Sequence, residues 1–294
     1  MNALRSISSL FVLLAAPLVA QDAAPRHLLR MAFEPGKPAW YRQSVDMSST
    51  MKIGGQDMVT GMKMAVVLRT EVLEVTGGKA SMRHTFERIT AKMDNPMMKV
   101  DYDSDDPDSR PGALAILEDV VGESLQVQVD DHGRFSDAKP SAGFPEQASE
   151  MFGGGELNRF LGQNVPELPD QPVAIGESWQ TTTEMPMGPT GNAKVTVTNT
   201  LMEVGGGRAR IRQVMSVDVD DLKVPGGGQM QMDKAEGFTV LDLATGMPIE
   251  SEMQMVSKVV NTQVSMDMSM TLRVDAVPAP AAKAVPATDA KDGE

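Results

Sequence analysis

The chain has 294 residues, a net charge of −13 and no cysteine. Zero cysteine excludes disulfides, thiolate metal sites and a cysteine nucleophile. The acidic balance argues against nucleic acid and anionic lipid surfaces as partners, since both are held through cationic footprints.

Taken in chain order, the first element is a leader over residues 1–20. Arg5 supplies a short positive region, the run Leu10–Ala20 an apolar stretch ending in small residues, and cleavage is expected after Ala20. The run is too short to span a bilayer comfortably, and a lipid-modified leader would need the absent cysteine. Export to the periplasm or the medium without a stable membrane anchor is therefore expected. Losing Arg5 takes the net charge from −13 to −14, a value that favours solubility. Residues 21–29 read as a flexible lead-in that includes His27.

A first β half is predicted over residues 30–140. Leu125, Val127 and Val129 alternate with Ser124, Gln126, Gln128 and Asp130, a period of two that marks a half-buried strand. Gly54-Gly55, Thr76-Gly77-Gly78, Asp94-Asn95-Pro96 and Asp131-His132-Gly133 supply turns. Residues 141–172 read as a helical and proline-rich connector. Short helices are predicted within Gly112–Val121, Pro145–Phe152 and Glu156–Gly162, followed by the stiff run Val165–Pro172. A second β half is predicted over 173–275. There Val264, Met266, Met268, Met270, Leu272 and Val274 share one parity, and Ala209, Ile211, Met215 and Val217 another such face. Residues 276–294 are rich in alanine and proline and read as a disordered tail. The fold class that follows is mainly β: long antiparallel strands in curled sheets or an open barrel, with a few short helices in the middle.

The halves carry matching marks. Trp40 opens the first and Trp179 the second. Each is followed by a hairpin of one form, Glu74-Val75-Thr76-Gly77-Gly78-Lys79-Ala80 and Glu203-Val204-Gly205-Gly206-Gly207-Arg208-Ala209. An internal repeat is the expectation.

With Tyr102-Asp103-Ser104, Leu168-Pro169 and Gly176-Glu177-Ser178-Trp179, this arrangement resembles an exported bacterial family of unknown function, over about Arg30 to Val274. The resemblance implies no catalytic residues. A looser likeness, of architecture only, is to the half-open barrels of periplasmic lipid and lipoprotein carriers.

The chain is methionine-rich, with 24 in all. Pairs spaced two apart occur at Met62/Met64, Met185/Met187, Met230/Met232 and Met253/Met255, with a triple at Met266/Met268/Met270. Thioethers bind copper(I), but with no histidine or cysteine interleaved, no metal site or cofactor is expected. Methionine also packs as flexible filler or lines an adaptable apolar surface. Met266, Met268, Met270, Met253, Met255, Met82 and His84 are taken as candidate lining. The aromatic content of 4% leaves little else to fill an interior.

The acidic run Asp101–Asp108 lacks the glycine and glutamate of an EF-hand. Gly122-Glu123-Ser124 and Gly176-Glu177-Ser178 lack the closing glycine of a nucleophile elbow. A non-enzymatic binding protein, with an apolar small molecule such as lipid as ligand, is the leading expectation. A structural or interaction module working with an envelope protein is the first alternative, and an enzyme with an unrecognised site the second.

Overall fold

The computed structural model describes residues 24–53, 55–95, 98–151, 157–162, 165–186, 192–218, 229–260 and 264–280. The expected leader and the tail from residue 281 lie outside them. In chain order the elements are β1 (Arg26–His27), β2 (Ala39–Ile53), β3 (Gln56–Thr76), β4 (Lys79–Asn95) and β5 (Met98–Asp103). A 3-10 turn (Gly112–Leu114), α1 (Ile116–Val120), β6 (Ser124–Asp130), β7 (Phe135–Pro140), α2 (Glu146–Met151) and α3 (Leu157–Gly162) follow. The second part holds β8 (Val173–Ala174), β9 (Ser178–Pro186), β10 (Asn192–Gly205), β11 (Arg208–Asp218), β12 (Gln229–Asp242), β13 (Pro248–Val260) and β14 (Val264–Val277).

Twelve strands form one antiparallel sheet in the order β7-β6-β4-β3-β2-β14-β13-β12-β11-β10-β9, with β5 on the free stretch of β4. The first long strand pairs with the last along its whole length, from Trp40↔Val277 to Ile53↔Val264. That pairing welds two meanders into one surface. The end strands β7 and β9 do not pair, so the sheet is not closed into a barrel.

It is nonetheless curled. Met31 N–H donates to the Asp131 carbonyl in the β6–β7 turn, and Ala32 N–H donates to the Thr245 carbonyl in the β12–β13 turn, both at 2.8 Å. In a flat sheet, β6 and β12 would stand about 29 Å apart, at roughly 4.8 Å per strand step. Two successive residues cannot bridge that gap, so the wings must bend toward each other. Gly246 makes the approach feasible: its backbone is left-handed (φ 67°), and a Cβ there would collide with the Arg30 carbonyl.

The proline-rich connector holds the same end of the sheet together. Leu168 N–H donates to His132 O, Arg134 is paired with Glu167, and the Trp179 indole on β9 donates to Glu167 O at 2.7 Å. Residues near both unpaired sheet edges are thus tied to one stiff segment. Arg30 adds bonds to Pro169 O and Asp170 O. The lead-in is therefore fixed rather than loose: β1 pairs with β8, Arg26 forks onto Glu177, and Leu29 is buried. Strand β14 likewise runs two residues into the segment expected to be tail.

The two hairpins that match in sequence also match in backbone. Gly77/Gly78 and Gly206/Gly207 all have positive φ, as two-residue hairpin turns that follow strand twist require. The register then slips at the same place, leaving Leu73 and Met202 as the extra residue of each bulge. Beyond the bulge Val72 faces Met82, and Leu201 faces Ile211.

Candidate functional site

Strand alternation divides the sheet into a wet outer face and an apolar inner face. On the outer face Lys63 pairs with Asp46 and Lys258 with Asp267, in the open. On the inner face Val66, Leu68, Phe86, Ile89, Ala209 and Ile211 are buried in the core. Phe144 and Phe160 pack on Phe86, with ring centroids 5.7 and 6.5 Å away.

The same face continues beyond this core. Met62 and Met64 precede Val66 and Leu68 at two-residue spacing, so their side chains leave β3 on the core side. Register then aligns residues from neighbouring strands. Met93, Met62, Met47, Met270 and Met255 form one row across β4, β3, β2, β14 and β13. A second row holds Met58, Met51, Met266, Val259 and Met230. Facing side chains on adjacent strands sit about 5 Å apart at Cβ, so each row is a continuous strip of thioether and methyl groups. All five methionines of the first row are half-buried. Met64 and Met93 border the core cluster, whereas Met47, Met62, Met255 and Met270 lie outside it.

Of the residues expected to line a site, Met266, Met268, Met270, Met253 and Met255 share this inner face; Met253 is buried and the other four are half-buried. Met82 and His84 do not join them. Met82 is only 2% exposed and belongs to the packed core. His84 is buried beside Thr70, whose hydroxyl lies 2.9 Å from Nδ1, while Nε2 has no hydrogen-bond partner. Burial pushes its pKa down to about 4, so the ring is neutral at ordinary pH. Met47, Met51, Met58 and Met93 carry no mark of a lining role in the sequence. They occur singly or outside the two-apart pairs, and only pairing register brings them into rows.

Other candidate chemistry resolves into fastenings. Asp130, Asp131 and His132 bring potential ligand atoms within 4.8 Å of one another. The half-buried histidine has Nδ1 2.8 Å from Asp131 and Nε2 3.2 Å from Asp170. Arg30 and Arg134 neutralise the same carboxylates, so the cluster ties the connector to the sheet. Along the acidic run, Asp103 and Asp105 face Arg88. Asp103 accepts the Asp105 N–H and Asp106 the Asp108 N–H. In the Gly-Glu-Ser passages the glutamates are anchors. Glu177 accepts from Ala174 N–H and Arg26, which hold its carboxyl below the usual range, and Glu123 is bonded to Ser141. A concavity of about 900 Å³ on the outer face is lined by Trp40, Arg42, Arg69, Glu87 and Arg88. Two of its three cations are already paired, Arg69 with Glu71 and Glu87 and Arg88 with Asp103 and Asp105.

Residues 134–276 match the model of a family of unknown function, DUF6263. The matched stretch runs from the β6–β7 turn through nearly all of β14, so the likeness to an unknown-function family read from the motifs holds over this part. No curated protein matches the chain in sequence. Among solved structures, it is similar to a lipovitellin chain studied for lipid–protein interactions, at 14% identity and TM-score 0.45. That likeness covers 86% of this chain and 27% of the other, so this chain spans about a quarter of its length. Pseudomonas aeruginosa OccK5 (OpdH) is similar at 6% identity, 84% and 100% coverage and TM-score 0.27. A domain described as an outer membrane lipoprotein-sorting protein of Vibrio parahaemolyticus follows at 10%, 82% and 87%, and 0.16. All three lie below a TM-score of 0.5, so the site rests on its own geometry. Among the described residues, no helix is long and apolar enough to cross a membrane.

Proposed function

We propose that the protein is an exported, non-enzymatic carrier or receptor for an apolar small molecule, held against the methionine rows of the curled sheet. The supporting observation is the alignment of Met93, Met62, Met47, Met270 and Met255 on five adjacent strands, each only half-buried. A strip of this kind is apolar, deformable and polarisable, so it adapts to ligands of varied shape. A large part of its transfer free energy is still ungained, because a methionine gives about 1.5–3 kcal/mol only when fully buried. An apolar ligand supplies that burial.

The test is native mass spectrometry of protein purified from the compartment it is exported to, with titration of an environment-sensitive dye. The expected result is a co-purifying apolar adduct, dye binding, and dye displacement by added lipid. A clean apo mass with no dye response to lipid overturns the reading and leaves the interaction module, its methionines serving as packing.

A further inference from the structure

Between the closed core and the methionine rows, the inner face carries a polar ledge. Asn199, Gln213, Thr239 and Ser251 lie on adjacent strands β10 to β13, on two successive register rows. Asn199, Thr239 and Ser251 are buried, Asn199 to 1% exposure. Gln43 continues the Ser251 row through Val274 to β2. Polar groups in such a place need partners, or they pay the full cost of desolvation.

The partners present link the four residues into one chain. The Thr239 hydroxyl donates to Gln213 Oε1 at 2.8 Å, and Gln213 Nε2 donates to Asn199 Oδ1 at 3.2 Å. Thr239 has one proton to give, so its 3.0 Å contact with Ser251 is a bond it accepts. The chain therefore runs Ser251 to Thr239 to Gln213 to Asn199. It ends on a buried amide nitrogen, Asn199 Nδ2, with no hydrogen-bond partner. Turning Asn199 alone would set its Nδ2 against Gln213 Nε2, and turning Gln213 alone would set its Oε1 against Asn199 Oδ1. The two amides therefore hold their orientation as a pair, and Asn199 keeps one buried, unpartnered polar atom. Five strands from β10 in sheet order, on β2, Gln43 Oε1 is a buried acceptor, likewise without a hydrogen-bond partner. None of these five residues is charged, and the rows immediately beyond present methionine.

We propose, building on the carrier reading, that the bound molecule is an amphiphile with an uncharged, hydrogen-bonding head. The ledge reads the head while the methionine rows take the chain. Asn199 Nδ2 donates to a carbonyl or hydroxyl oxygen of the head, and Gln43 Oε1 offers an acceptor for a hydroxyl. Among the described residues the ledge offers a carboxylate or phosphate no cation, in a setting where an unpaired charge is costly. The head reaches Asn199 past Val197 and Met215, both half-buried on the next row.

The experiment compares monooleoylglycerol with oleate at pH 8 on the delipidated full chain, by dye displacement and native mass spectrometry. The apolar tail is the same and the head differs. The expected result is a preference for monooleoylglycerol of about ten-fold or more, the size of one good hydrogen bond. Asn199→Leu is expected to bring the two lipids within about two-fold of each other while oleate binding stays unchanged. Gln43→Leu narrows the preference from the other side and covers the case in which Asn199→Leu fails to fold. Equal binding of both lipids by the unaltered protein overturns the head-group inference and leaves the carrier reading standing. So does a preference that survives both substitutions. Binding of neither lipid overturns both.

Discussion

The two ends of the inner face are made by the same strands and differ in what stands on them. At the closed end, Phe86 on β4 stacks with Phe160 and tilts against Phe144. Residues 29–32 cross the sheet there, and the connector ties both edges. At the other end β2, β3, β13 and β14 carry half-buried methionines beyond the core. The difference is one of side-chain stiffness and cover. Aromatic and branched side chains, locked by close packing, give the fold its free energy. Unbranched thioethers keep rotamer freedom and surface to spare. One end holds the protein together, and the other has apolar area to offer.

That contrast breaks most visibly at Phe86. It is fully buried with two aromatic neighbours, so Phe86→Ala should cost about 4 kcal/mol, within the range for large-to-small core changes. Met270→Ala, at the open end, removes a side chain that was never fully buried and should cost about 1 kcal/mol or less. Urea unfolding of both variants measures the pair. Comparable losses would mean that the methionine rows are core after all.

How far the sequence foretold this can be followed along single residues. Alternation over Val264–Val274 fixed both the strand and its apolar side, and the paired glycines fixed the hairpins. What stayed hidden was lateral order. Nothing local tells Met47 on β2 that it will stand beside Met270, more than two hundred residues later. That pairing follows from where the last strand docks. His84 misled for a related reason: parity placed it correctly on the apolar side, but parity does not report how far along the sheet the core closes. The lead-in looked loose because the partners of Arg26 and His27, namely Glu177, Ala174 and Val173, lie 146 to 151 residues away in sequence.

Acid should loosen the closed end first. The His84 pKa is lowered by burial from 6.5 to about 4. Between those values the unfolded chain binds a proton that the folded chain refuses, so stability is full above about pH 6.5 and falls as pH drops toward 4. The shift corresponds to a loss of about 3 kcal/mol at the lower limit. Unfolding midpoints at pH 7.5 and 4.5 should separate by more in the unaltered protein than in His84→Leu. Identical pH profiles in the two would show that His84 is not the group responsible. The methionine rows carry no titrating group, so binding to a neutral apolar dye should change only as far as the fold itself does.

The smallest effect is expected where softness alone is changed. Replacing Met47, Met62 and Met270 together by leucine keeps the volume and apolar character of three neighbours on one row. Swaps of this kind usually cost less than about 1.5 kcal/mol each, and half-burial should hold them near the bottom of that range. If the row serves as an apolar lining, lipid affinity should stay within about three-fold, under 1 kcal/mol. Selectivity among ligands of different shape should tighten, because leucine has fewer ways to rearrange. If the thioethers act instead as soft metal ligands, the same triple variant would lose copper(I) binding under reducing conditions while lipid binding barely moved. Measuring both on one variant asks whether the row is valued for its shape or for its sulfur, and the half-buried, laterally packed arrangement points to shape.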